Sequence, residues 1–162
     1  MIVKYIVIGA IAITTIWISR SYASFVDTRL GEMRGISNLI LHIESKLSRS
    51  LEFGVELYRD FSDDFLEKCG FLANLREGKS LKDAFSAVKG KMLLPSGVVE
   101  RTEELFSSFG REYKDREIDK LRLARGEINK ELEGYSEDLE KNKRVTNAIL
   151  FGIAASLAII LM

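Results

Sequence analysis

One proline, one cysteine and one histidine in 162 residues remove several classes of protein at once. At the usual proline content of about 5%, a chain this long would carry roughly eight. A single Pro excludes a Pro-punctuated β-sandwich and favours long helices with few loops, so the expected class is all-α. Cys69 alone makes neither an internal disulfide nor a Cys-rich zinc site, and His42 alone rules out any site that needs two imidazoles. An excess of one charge is missing too: 24 Lys and Arg balance 24 Asp and Glu. Such a chain is not a generally basic nucleic-acid binder, and no nucleic-acid partner is expected.

Catalytic patterns are absent in the same way. Gly78-Lys79-Ser80 lacks the upstream glycine of a phosphate-binding loop, because position 73 is Ala; it reads as a helix stop followed by a cap. Asp63-Asp64 and Glu103-Glu104 are paired carboxylates, but neighbours on a helix point about 100° apart and do not converge on one substrate. His42 falls beside an apolar stripe and Cys69 near a helix end, where each reads as a packing residue. No catalytic residue, metal ligand or cofactor is nominated, and the chain is not expected to be an enzyme.

What is present is a strong partition of charge. All 24 acidic residues lie between Asp27 and Glu140, and every basic residue except Lys4 lies between Arg20 and Arg144. Residues 1–19 and 145–162 are left apolar apart from Lys4, Asn147 and a few hydroxyls. Eighteen or nineteen residues make roughly 27 to 29 Å of helix, close to a hydrocarbon core of about 30 Å. Each run is therefore expected to be a transmembrane helix, with 20–144 as a helical domain between them. A cleaved signal peptide ending near Ser21-Tyr22-Ala23 is the alternative for the first run, and a buried core helix for the second. Arg20, Arg29, Arg34, Lys130, Lys141, Lys143 and Arg144 flank the runs on the inner side, so the positive-inside rule puts the central domain in the cytoplasm of a two-pass protein.

Within 20–144 the apolar residues Leu30, Met33, Ile36, Ile40, Ile43 and Leu47 mark a helix over about 21–50. Phe53, Leu57, Phe61 and Phe65 step by four and predict a second helix ended by Gly70. A short helix follows over 71–76, and Ser80 with Asp83 makes a capping box for another running to Gly90. A loop around Pro95 precedes a helix capped by Ser96 and stopped at Gly110. Ile118, Leu121, Ile128, Leu132, Tyr135 and Leu139 then continue without proline into the second apolar run, predicting one helix of over forty residues. The expected architecture is a bundle of about five to six helices between two transmembrane helices, with the first and last helices as neighbours. Ala148, Gly152 and Ser156 repeat every four residues, a small-residue face that suits packing against another transmembrane helix. Gly31 and Gly35 repeat the spacing, but in a segment too polar for the membrane.

Three segments carry a resemblance. Glu77-Gly78-Lys79-Ser80-Leu81-Lys82-Asp83-Ala84-Phe85, Leu105-Phe106-Ser107-Ser108-Phe109-Gly110, and the basic entry at 142–144 into a Gly-containing apolar terminus come in order along the chain. Together they resemble the stage III sporulation protein AB family of endospore-forming bacteria, which is related to the platform (F) proteins of type II secretion and type IV pilus machines. Arg111-Glu112-Tyr113 departs from the polar turn usual after the second segment. The resemblance implies a non-enzymatic platform in the mother-cell membrane facing the forespore. Its implied partners are a cytoplasmic secretion-type ATPase (stage III sporulation protein AA), the other stage III channel proteins, and further copies as a homo-oligomer. Charged residues on the short helices, Arg59, Asp60, Asp63, Arg76 and Glu77, are the candidate docking surface. The competing reading is a membrane-anchored helical regulator or sensor adaptor unrelated to secretion.

Overall fold

Pro95 is the sole proline, so over most of the chain only glycines and capping side chains can end a helix. The computed structural model describes residues 2–49 and 54–161; the side chains of 1–8, 11–12, 55, 140, 142–144, 146–147, 150–151, 154 and 157–162 lie outside what it describes. Among the described residues the chain is all-α. The helices are α1 (Ile2–Arg49), α2 (Asp64–Lys68), α3 (Phe71–Arg76), α4 (Leu81–Val88), α5 (Ser96–Ser108) and α6 (Lys114–Leu161), with a 3-10 turn at Gly54–Leu57. The chain forms two units, Thr28–Glu133 and the paired ends Met1–Asp27 with Gly134–Met162.

In the unit Thr28–Glu133, α1 contributes Met33, Ile36, Leu39, Ile40, Ile43 and Leu47, all buried and spaced at three and four. Fully burying each such side chain is worth about 1.5–3 kcal/mol. The short helices pack in sequence order, α2 on α3, α3 on α4 and α4 on α5. At their centre Phe71, Phe85 and Phe106 form a three-ring cluster, with centroids 5.6 to 6.3 Å apart and two of the three contacts edge-to-face. From α6 come buried Leu121 and Ile128. The first and last helices are neighbours in this unit, as expected. Ser37 Oγ donates to Asn129 Oδ1 at 2.6 Å, and Glu44 accepts from Arg122 Nε at 3.2 Å with Arg125 Nη2 3.7 Å away. Glu32, also on α1 and buried, accepts the backbone N–H of Leu93 at 2.6 Å and so ties down the Pro95 loop.

Two helix expectations need correction. The helix predicted through Phe53, Leu57, Phe61 and Phe65 is not continuous: the 3-10 turn ends at Leu57, 58–60 form a turn, 61–63 have no regular secondary structure, and α2 starts afresh at Asp64. Asp63 explains the break, since its Oδ1 accepts from the N–H groups of Phe65 and Leu66 at 3.0 Å, the bonds of an N-cap. Phe53 lies outside the described residues. Ser96 is the first residue of α5, with Pro95 at the cap and no side-chain cap bond, which suits the fixed φ of proline. Ser80 caps α4 as expected, its Oγ accepting from Asp83 N at 3.1 Å, while the Asp83 carboxylate accepts from the Ser80 hydroxyl at 2.7 Å.

The paired ends consist of the first half of α1 and the second half of α6. Ile13, Ile16, Trp17 and Ile18 on α1, and Val145, Ile149 and Ile153 on α6, are exposed. Among the described residues, no helix is long and apolar enough to cross a membrane. The transmembrane helices expected at 1–19 and 145–162 are therefore not supported by the described residues; most side chains of both runs lie outside them.

Candidate functional site

The five residues singled out as a docking surface sit on the turn after Leu57, at the start of α2 and at the end of α3. The structure sorts them into different jobs. Asp63 caps α2 and faces α1, where a Cβ on Gly35 would come 2.8 Å from its Oδ1. Asp60, exposed, is held by Lys46 of α1 at 2.9 Å, and the same ammonium donates to the Glu56 carbonyl at 3.1 Å. That ammonium keeps the Asp60 carboxyl below its ordinary range. Glu77 ends α3 and pairs with Lys79 at 3.2 Å.

Arg59 and Arg76 behave differently. Although seventeen positions apart, they line one cleft of about 120 Å³ together with Tyr58, Phe61, Leu72 and Leu75. Tyr58, Leu72 and Leu75 are buried, and burial pushes the Tyr58 phenol up. Both arginine side chains are more than half exposed. Arg59 Nη1 lies 2.9 Å from Glu56 Oε1, and Arg76 holds the Glu67 carboxylate two-pronged, with Nη1 3.0 Å from Oε2. The sequence nominated the two arginines; the apolar floor between them depends on how the turn meets α3, and no spacing rule brings Tyr58 beside Leu72.

Nearby, His42 of α1 packs on the Phe61 ring with centroids 5.4 Å apart, and its Nε2 is buried without a hydrogen-bond partner. Burial, and then the charge of Lys46, pull its pKa below the ordinary value. Cys69 is half-buried, its Sγ directed at the Leu66 carbonyl at 3.4 Å, and burial raises its pKa, so it is a poor nucleophile. Among the described residues no three acidic, His or Cys side chains gather to hold a metal ion. In the paired ends, Ala148, Gly152 and Ser156 are all exposed, and nothing lies within 4 Å of the Cβ position of Gly152. Gly31 and Gly35, set aside from the sequence, have an internal use: they let Phe65, Asp63 and Leu66 press against the backbone of α1.

The site thus offers two exposed, ion-paired arginines at the rim of an apolar floor. No curated protein and no solved structure matches the chain. The family model described as stage III sporulation protein AB matches residues 4–162, nearly the whole length, and the chain belongs to that family.

Proposed function

We propose that this sporulation-family protein is a non-enzymatic membrane platform of a secretion-like channel complex between mother cell and forespore. In this reading 1–19 and 145–162 cross the mother-cell membrane and 20–144 lies in the cytoplasm. There it links a secretion-type ATPase, stage III sporulation protein AA, to the other stage III channel proteins. The observation that carries the reading is the charge partition, with every charge but Lys4 confined between two terminal apolar runs. The exposed Ile13, Ile16, Trp17, Val145, Ile149 and Ile153 support it, since apolar surface of this kind in water marks a membrane or partner contact. Ala148, Gly152 and Ser156 would let a second transmembrane helix approach closely, in a further copy or another channel protein.

The ATPase contact is assigned to Arg59 and Arg76, because they share one cleft. Replacing both with Glu reverses the charge of the rim without touching the buried floor. Co-purification of the ATPase with the full-length double variant should fall at least about tenfold, two exposed charge contacts each being reversed, while helicity by circular dichroism stays at the wild-type level. Undiminished co-purification removes this cleft from the ATPase interface.

A further inference from the structure

We propose that the cleft between Arg59 and Arg76 receives a single apolar side chain, of leucine size, from an acidic peptide segment whose carboxylates flank that anchor. The inference rests on the docking reading above and names the chemistry of the segment that docks.

Size is the first argument. The cleft measures about 120 Å³, and a protein cavity of about 150 Å³ holds a benzene ring. One leucine-sized side chain is the largest group it takes; a whole helix face is too large. Its floor of Tyr58, Leu72 and Leu75 is already buried and Phe61 beside it is half-buried, so filling the cleft removes apolar surface from water chiefly on the incoming side chain and at Phe61.

Charge is the second argument. Among the described residues, the charged ones lining the cleft are the two arginines. Their carboxylate partners, Glu56 and Glu67, lie outside the lining. A guanidinium offers five N–H donors in a fixed fork, and one carboxylate engages two at most, so each arginine keeps donors for a second carboxylate. Exposed ion pairs such as Arg59–Glu56 are also weak enough for an incoming carboxylate to compete with them. Acidic side chains on either side of an apolar anchor therefore match the rim, and lysines in those places meet like charge. An apolar anchor in a pocket with a tyrosine in its floor and arginines at its rim is also the composition in which binding energy concentrates.

The test uses full-length protein in detergent micelles and three capped hexapeptides: Glu-Asp-Leu-Leu-Glu-Asp, the same peptide with Lys at the four acidic places, and the acidic peptide with both leucines changed to Ala. Methyl resonances of Leu72 and Leu75 report on the cleft. The acidic leucine peptide should shift them in a saturable way. The lysine and alanine peptides should bind at least about tenfold more weakly, and the Arg59→Gln, Arg76→Gln double variant should weaken binding of the acidic leucine peptide by about two- to thirtyfold. Absence of shifts, shifts confined to other residues, or equal binding of the lysine peptide overturns the proposal. The two readings fail separately. If the peptides behave as stated but charge reversal leaves ATPase co-purification intact, the cleft serves another acidic partner. If co-purification collapses while the acidic leucine peptide leaves Leu72 and Leu75 unmoved, the docking reading stands and the anchor chemistry is wrong.

Discussion

At the scale of single residues, the tightest constraint is a missing side chain. A Cβ on Gly31 would collide with the Phe65 ring, and one on Gly35 would press on Asp63 and Leu66. Gly31→Ala therefore displaces the Phe65 ring of α2 from α1, at a cost of about 1–3 kcal/mol typical of overpacking. Gly126→Ala on α6, where the added methyl meets open space, should instead stabilise by up to about 1 kcal/mol through helix propensity. Thermal melts of the full chain check the contrast, and a Gly31→Ala variant as stable as wild type would mean that α2 does not dock there. His42 supplies the second residue-scale prediction. Its pKa is lowered by burial and by Lys46, so the folded state binds its proton less readily than the unfolded state does. The stability this confers is present above the unfolded value of about 6.5 and is lost as pH falls through the folded value. Lowering the pH from 7.5 to 5.5 should thus reduce the melting temperature of wild type more than that of His42→Leu. Glu32 works in the opposite direction, its pKa being raised by burial, so the comparison of the two proteins, and not the raw pH profile, isolates His42. Identical pH responses would show that His42 titrates as it does in the unfolded chain.

At the scale of elements, the short helices were legible because their ends are written in local chemistry. Gly70, Gly78 and Gly110 take positive φ, Ser80 caps, and the helices between them fall where these residues put them. The segment through Leu57, Phe61 and Phe65 was misread because its apolar spacing of four is met by tertiary contacts, Phe61 on His42 and Phe65 against Gly31, instead of by a helix. Spacing alone does not distinguish the two. The turn into α6 was also hidden. Buried Glu117 reaches back from the first turn, and its Oε1 accepts from the N–H groups of Gly110, Arg111 and Glu112 at 3.0 to 3.1 Å. Three donors converging on one carboxylate oxygen fix where α5 stops and α6 starts. Hydrogen bonds to a charged group are worth about 1.5–3 kcal/mol, but these donors sit on exposed residues that water can satisfy after truncation. Glu117→Ala should cost about 2 kcal/mol in denaturant unfolding. Asp115→Ala, which removes an exposed charge from the same turn, should cost about 0.5 kcal/mol through the helix dipole. Equal costs would mean that Glu117 acts as a charge near the helix start and not as a clamp.

At the scale of the whole molecule, the scarcity of proline was the most informative feature, since it left α1 and α6 free to run 48 residues each. Convergence of Arg59 and Arg76 on one cleft was not legible, because it requires the turn after Leu57 and the end of α3 to meet in space. The platform proposal adds a demand that neither level supplies: residues 20–144 must share a compartment with the ATPase. Seven basic residues flank the apolar runs on their inner side, against Lys4 on the other, and cytoplasmic retention of Lys and Arg is what orients such proteins. With Cys69 replaced by Ser and a single cysteine introduced by Glu137→Cys, at an exposed position of α6, a membrane-impermeant maleimide should label permeabilised cells and leave intact cells unlabelled. Labelling of intact cells would put the domain outside and end the ATPase reading, since a soluble ATPase in the cytoplasm could not reach Arg59 or Arg76. Protection in intact cells makes charge reversal at those two arginines the decisive next step, because then only the surface chemistry of the cleft separates a platform from a membrane-anchored domain with a different partner.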